Sequence, residues 1–473
     1  MIANILNTFR NSFKIPELRE RILFTFGVLA ICRFIAIIPI PGLDGGALST
    51  FLKESAANAD GSGNILGLVN VFTGGAMGRC ALGALGIMPY ITATIIIQLL
   101  SAVVPQLSKL AREEGGRVKI MQYGRFLSVI LCIGQGTAMS LGWLNPGNVL
   151  SGFTGDLVLI DNKAYYVFQT VLFLTTGTML LMWLGEQITE RGIGNGVSLV
   201  ITIGIIAELP VAGAQLKQMF FPTSGESNYS WPDAVMLIAL LIAVVVAVIA
   251  VTQAVRKVPV QYAARNVGRK TIPGGSSYMP LRVNHAGVMP IIFAQAILMF
   301  PEQLFRMLGS VDGLSLFLDL ASALQRGSLL YLVTYSAMIL FFSYFWVSTQ
   351  FNEIQISDDL KKNGGYIPGV RPGPATTEFL HNTMSRITLA GSVFLTVIAV
   401  IPIILSTQNN IPFQVSQFFG GTSILITVGV MLDTMRQLES HLMMRHYDGF
   451  HARGKTRSGR PRSRGPKLRG RGR

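Results

Sequence analysis

The pattern that most resembles a chemical site lies near the end of the chain. Residues 449–456 read GFHARGKT and satisfy GxxxxGKT, whose backbone N–H groups and lysine hold nucleotide phosphates. That chemistry requires a strand before the loop and a helix N-terminus after it. Here an apolar segment precedes the pattern, and the Arg- and Gly-rich segment SGRPRSRGPKLRGRGR follows it. We therefore interpret the match as coincidence.

Histidines and cysteines give no better site. His441, His446 and His451 recur every five residues, so they share no helical face, and they have no acidic or Cys partner for a metal. The three cysteines lack CxxC spacing and lie in or beside apolar segments. No nucleophile, base and orienting acid occur together. The sequence predicts a chain that is not an enzyme and that carries neither a cofactor nor a metal.

The elements that position these residues are typical of a multi-pass membrane protein. Of the 473 residues, 50% are hydrophobic and only 13% are charged, and the mean hydropathy is +0.49. The formal net charge of +15 is concentrated, because residues 453–473 hold ten Lys or Arg and no acid. Such a segment predicts a disordered polycation that binds anionic lipid head groups or ribosomal RNA phosphates. Of these, we favour ribosome contact.

Apolar runs of spanning length indicate an all-α fold with ten transmembrane helices. They lie at about 22–40, 81–104, 123–143, 166–185, 193–209, 234–255, 286–305, 328–349, 387–405 and 422–435. The basic residues fall in alternate loops and at both termini, which predicts a cytoplasmic location for both termini. Five spans in each half would make the two halves inverted relative to one another.

These spans divide the chain into five parts. They are a cytoplasmic amphipathic N-terminus at 1–21, an N-terminal half at 22–215, an external hinge loop at 216–232, a C-terminal half at 233–440 with cytoplasmic loops at 253–283 and 350–386, and a basic disordered tail at 441–473.

The stretch 64–104 differs from an ordinary membrane anchor. Its first part is apolar but much shorter than the roughly 20 residues that cross a bilayer, and Thr73-Gly74-Gly75 gives it a loose hinge. Its second part is long enough to span but carries Pro89, Thr92 and Gln98. A short movable segment beside a helix that contains several polar residues indicates a structure that opens.

Two basic loops project far enough to meet a partner. The loop at 253–283 combines the β-prone run VPVQYA with Pro273-Gly274-Gly275, which predicts a small hairpin. The loop at 350–386 holds Arg371 among prolines and glycines. A solvated basic loop is the alternative interpretation for most of these charges.

Several sequence segments resemble those of a known family. They are IPIPGLD, GGAMGRCALGALGIMPYITATIIIQLL, GEQITERGIGNGVS, VNHAGVMP, YIPGVRPGPAT and FGGTSILI. The chain resembles the SecY family, the central subunit of the bacterial protein-conducting channel, over nearly its whole length. The resemblance implies two inverted halves around a central hourglass pore with a short plug helix, in the cell inner membrane. The tail after Tyr447 departs from the family's usual short ending.

The resemblance also implies site residues. A ring of apolar side chains would seal the pore: Ile87, Ile91, Val197, Ile201, Ile292 and Ile426. The plug would occupy 64–78, with the residues Asn64, Ile65, Leu66, Leu68, Val69, Val71 and Phe72. Polar residues would line a lateral gate toward lipid: Thr92, Gln135 and Asn284. Basic residues would engage the motor and the ribosome: Arg371 first, and Arg256 and Lys257 more weakly.

The implied function is passage of unfolded, signal-bearing polypeptides across the membrane, with sideways release of transmembrane segments. The implied partners are the SecE and SecG subunits, the SecA ATPase, the ribosome, and SecDF and YidC as accessories. A secondary transporter for a small solute is the alternative, although such proteins usually bury acidic or His coupling residues at mid-membrane. The spans here contain few ionisable groups.

Overall fold

The protein is mostly helical. The computed structural model describes residues 13, 15–57, 65–113, 115–146, 153, 155–221, 231–262, 265–267, 270–272, 275–309, 315–325, 327–408, 413–419 and 422–456. Its helices, in chain order, are α1 Pro16–Ile35, α2 Gly45–Ala57, α3 Ile65–Thr73, α4 Met88–Val103, α5 Pro105–Arg112, α6 Gly116–Leu144, α7 Lys163–Arg191, α8 Gly196–Phe220, α9 Trp231–Gln253, α10 Met289–Gly309, α11 Ser315–Ala323, α12 Leu329–Gln350, α13 Glu353–Lys362, α14 Pro374–Gln408, α15 Phe413–Phe419 and α16 Thr422–Thr456.

Seven helical stretches of the described chain are long and apolar enough to cross a membrane. They are Val118–Leu144, Lys163–Arg191, Gly196–Phe220, Trp231–Gln253, Leu329–Lys362, Pro374–Ile401 and Val415–Met443. The other three predicted spans coincide with α1, with α4 and with the apolar part of α10, Met289–Leu298. Each predicted span therefore contains a helix, and the count of ten crossings stays a prediction.

Side-chain caps fix where several helices begin. The side chain of Asn162 accepts hydrogen bonds from the first turn of α7, and those of Asn195 and Ser328 do the same for α8 and α12. Each cap satisfies a backbone N–H that has no partner within its helix. Pro89 occupies the first turn of α4, where its missing N–H costs nothing.

The second predicted span, 81–104, is wrong at its start. Residues 81–87 form turns, and the helix begins only at Met88. Backbone bonds hold the preceding segment against the end of the first span, from Ile40 N to Cys80 O at 2.9 Å and from Leu82 N to Ile38 O at 2.9 Å. These pairings satisfy groups that a longer helix would have bonded internally.

Large apolar side chains cover much of the outer surface. Phe34, Phe126 and Phe168 are each about two-thirds exposed or more, at 67%, 71% and 69%. Contiguous exposure of this kind suits a surface in contact with lipid rather than water. The largest apolar cluster of the described interior draws on α1, α3, α4, α7, α8, α9, α10, α12, α14, α15 and α16.

Five short strands join the two basic loops. They are β1 Val255–Tyr262, β2 Arg265–Val267, β3 Lys270–Ile272, β4 Ser276–Arg282 and β5 Gly365–Tyr366. β1 pairs antiparallel with β4 and with β5, and β2 pairs with β3. The predicted hairpin is confirmed, and β5 of the second loop adds a third strand to it.

Two predicted boundaries also differ. α8 continues to Phe220, so the loop expected at 216–232 begins later, and residues 222–230 lie outside the described residues. α16 continues to Thr456, so residues 441–456 are helical rather than disordered, while 457–473 lie outside the described residues. The segment HLMMRH is rich in good helix formers, which explains the extension. The GxxxxGKT pattern lies inside this helix and forms no phosphate loop.

Candidate functional site

The six residues proposed for the ring come from four separate parts of the chain. Five of them are buried in the same apolar cluster: Ile87, Ile91, Ile201, Ile292 and Ile426, exposed by 4%, 4%, 2%, 2% and 0%. The sixth, Val197, is half-buried and packs against that cluster. All six therefore belong to, or pack against, the same large apolar cluster.

The supporting helices explain this convergence. α4 packs on α10, and α8 packs on α16. Ile201 lies one helical turn after Val197 on α8, so both can face the same way. Ile87 is the residue before the first turn of α4, and its carbonyl accepts from Ile91 N at 3.2 Å. The i,i+4 relation between them thus holds even though Ile87 precedes the helix.

The plug segment reaches the same cluster. Residues 65–73 form the short helix α3, which packs on α8. Val71 and Phe72 are members of the apolar cluster, whereas Val69 is buried in a neighbouring one. Asn64 lies outside the described residues, and Ile65, Leu66 and Leu68 belong to α3 without a described side chain.

A tight turn, not a loose hinge, follows the plug helix. Gly75 N bonds to Asn70 O at 2.8 Å, and Gly78 N bonds to the side-chain Oδ1 of Asn70 at 2.8 Å. Thr73 accepts from Met77 N at 3.4 Å. These bonds fix the turn to the end of α3, so the two move as a unit.

The proposed gate residues lie on or beside neighbouring helices, since α4 packs on both α6 and α10. However, the hydroxyl of Thr92 donates to Met88 O on its own helix at 3.1 Å. Asn284 is buried, and its Nδ2 has no hydrogen-bond partner among the described residues. Gln135 is half-buried on α6. In this state Thr92 and Asn284 form no hydrogen-bonded latch with each other.

Two other polar ties connect these helices, and sequence reasoning did not find them. Arg125 on α6 makes two bonds to Glu186 on α7, Nε to Oε1 at 3.1 Å and Nη2 to Oε2 at 2.8 Å. The Tyr90 hydroxyl on α4 donates to the same Oε1 at 3.3 Å. Gln295 on α10 donates to Thr422 at the start of α16 at 2.8 Å. The partners are between 61 and 127 residues apart, so no local pattern marks them.

The basic loops meet in the three-stranded sheet. Arg256 and Lys257 are exposed on β1, and Lys257 Nζ lies 4.8 Å from the centre of the Tyr278 ring. Arg371 is exposed, and its carbonyl accepts from Thr376 Oγ1 at 2.9 Å. Three basic residues from two loops thus share one end of the molecule.

An apolar core beneath the sheet holds this basic end in place. It contains Val258 and Leu281 from the hairpin together with Ile367 from the second loop. Beside it, burial lowers the pKa of His285, with repulsion from Arg282 as the smaller cause. The His285 imidazole is therefore neutral at pH 7, and the charge of this surface comes from Arg and Lys.

Comparison with known proteins shows the family of the chain. The SecY family model matches residues 81–435. The chain belongs to the SecY family. Protein translocase subunit SecY of Chlamydia muridarum is 40% identical over 450 residues, covering 93% of this chain and 97% of the relative. The subunit of the same description from Thermotoga maritima is 40% identical over 455 residues, covering 96% and 99%.

Solved structures share the fold of this SecY family member. A structure described as a protein-conducting channel aligns with a TM-score of 0.56 at 20% identity, over 89% of this chain and 91% of that one. A SecY protein whose plug domain is described as stabilising the closed channel aligns with a TM-score of 0.59 at 19% identity, over the same shares. At such identities the likeness concerns the fold, a multi-pass helical membrane protein.

Proposed function

We propose that the chain is the channel-forming subunit of a protein translocase, and that it passes unfolded, signal-bearing polypeptides across the membrane. The observation that supports the proposal is that the six branched aliphatic residues assigned to the ring all belong to or pack against one large apolar cluster, in a chain that belongs to the SecY family. A narrow aliphatic constriction excludes ions by dewetting and offers no polar group to hold a passing chain. The small-solute transporter has no support from the relatives.

In this proposal α3 is the plug. Val71 and Phe72 extend the apolar cluster beyond the ring, so the plug adds a second layer to the seal. At nine residues the helix is far too short to span a bilayer, and it can be displaced without removing a transmembrane helix.

We assign the lateral gate to the seam beside α4, where Thr92, Gln135 and Asn284 lie. Polar groups in a membrane interior stabilise helix contacts by only about 1 kcal/mol each. The unbonded amide of Asn284 weakens this seam further. A passing apolar segment can then separate α4 from α10 at a small cost in free energy.

We propose for the chain the partners that its resemblance to the SecY family implies. SecE and SecG would complete the channel, SecA or the ribosome would drive it through Arg371, Arg256 and Lys257, and SecDF and YidC would assist. We place the ten spans, in two inverted halves, in the cell inner membrane with both termini cytoplasmic. The sheet that joins both basic loops supports a single docking surface for motor and ribosome.

The test is reconstitution of the full chain with a SecE-like subunit in vesicles. Adding a SecA-type ATPase, ATP and a precursor with a signal sequence should give protease-protected precursor inside the vesicles. A matched precursor without its signal should stay outside. Uptake of small solutes with no precursor transport would favour the transporter and refute the channel.

A further inference from the structure

Charged side chains surround the turn that follows the plug helix. Glu208 on α8 is buried, with 5% of its surface exposed, and Arg33 on α1 is half-buried. Both lie within proposed spans, where an ionisable group is costly and usually has a function. Neither belongs to the ring, the gate or the docking surface.

The contacts of both residues converge on two glycines of this turn. Arg33 Nη2 donates to Gly74 O at 3.0 Å. The carboxylate of Glu208 lies beside Gly75 so closely that a Cβ at Gly75 would overlap with it. The Cζ atom of Arg79 lies 3.7 Å from the same Cβ position. Two cations and one anion thus lie around the backbone of Gly74 and Gly75.

Arg79 and Glu208 have opposite electrostatic effects on Arg33. Arg33 is attracted to Glu208 and repelled by Arg79. Glu208 is therefore the group that permits two guanidinium ions to lie near one turn. Since a charge buried without a partner costs several kcal/mol, removal of the anion leaves repulsion that the site cannot easily relieve.

The turn connects these charged residues to the plug helix α3, so a change in their repulsion acts on the plug. Its bonds to Asn70 join it to α3. Gly204, one turn before Glu208 on α8, allows Phe72 to approach, because a Cβ there would lie 2.7 Å from Phe72 O. The end of the plug therefore rests directly on the helix that carries Glu208.

We propose that Arg33 and Glu208 form an ionic latch that holds the plug closed, with Glu208 also neutralising the repulsion between Arg33 and Arg79. The latch rests on the assignment of α3 as the plug. It sets the free energy that a substrate must supply to displace the plug, so it determines how readily the channel opens.

The test uses the full chain with a SecE-like subunit in vesicles, and measures halide leak in the absence of precursor. Glu208→Gln should increase the leak about tenfold or more, since it removes the anion that lies beside Gly75 and offsets the repulsion between Arg33 and Arg79. Arg33→Gln should increase it less, because Arg79 still faces Glu208. Exposed residues at the end of α7 give matched controls, Glu190→Gln and Arg191→Gln, and these should leave the leak unchanged.

The decisive variant is the double replacement of Glu208 and Arg79 by Gln. It removes the repulsion, so its leak should fall below that of Glu208→Gln alone. A structural defect at Glu208 would not be repaired by losing a second charge. A tight Glu208→Gln channel, or a double variant that leaks as much as the single one, would overturn the latch. Should Glu208→Gln fail to fold, Arg33→Gln against its control Arg191→Gln carries the test, and an unchanged leak would then overturn the latch.

Precursor transport in the same vesicles separates this proposal from the previous one. If the variants transport precursor but none of them changes the leak, the latch is wrong and the channel assignment stands. If the parent protein transports no precursor, the channel assignment fails, and the latch, which rests on it, fails with it.

Discussion

Replacing Ile91 or Ile426 with Asn should make the resting channel leak ions. Both side chains are nearly or fully buried, at 4% and 0% exposure, in the apolar cluster that we propose closes the pore. Removing one such side chain from the cluster costs about 2 kcal/mol. Burying the amide without a partner adds about 1–3 kcal/mol. Together these values favour opening by roughly 3–5 kcal/mol, or about 150-fold to 5,000-fold in the open population.

The assay is single-channel conductance in planar bilayers, with halide efflux from vesicles as a second measurement. A channel with glycine at either position should also leak, because loss of the buried apolar side chain by itself favours opening. Ile339 on α12 is a matched control because it is fully buried in the same cluster but is not a ring residue. Ile339→Asn should lower the thermal stability without opening the pore. Tight channels with Asn at 91 and 426, or an equal leak from Ile339→Asn, would refute the ring.

Other regions give further predictions. Arg371→Glu should suppress ATPase-driven transport while insertion and folding stay intact, and the exposed Lys362→Glu is its control; unchanged transport would remove Arg371 from the docking surface. Truncation after Tyr447 should weaken ribosome binding most at low salt, measured by co-sedimentation; an unchanged affinity at several salt concentrations would favour lipid anchoring. Glu186→Gln should lower the free energy of unfolding by about 1–2 kcal/mol, because it weakens the paired bonds from Arg125; an unchanged melting curve in detergent would contradict this.

The order of the helices could be predicted from the sequence, because each apolar run must satisfy its own backbone within a membrane and therefore forms a helix. The hairpin at 253–283 was predictable for a similar reason, since turn residues follow a β-prone run. The family resemblance supplied the ring, and the structure shows that its members share one cluster.

The ends of the elements were less predictable. Residues 81–87 are as apolar as the helix that follows, yet they pair with residues 38–40, which lie far away in sequence. The plug turn contains glycines that suggest flexibility, but Asn70 holds it with bonds that spacing does not reveal. Basic residues interleaved with Gly, Pro and Ser predict disorder in the tail, yet α16 extends to Thr456.

The sequence by itself determined the class of the protein, the positions of its spans and the family to which it belongs, because hydropathy and long local motifs are properties of the chain alone. Only the tertiary structure decided which partners the charged side chains contact. Arg33 and Gly74 are 41 residues apart, and Arg125 and Glu186 are 61 apart. Electrostatic and hydrogen-bond energies depend on distance in space, and packing sets that distance for residues far apart in the chain.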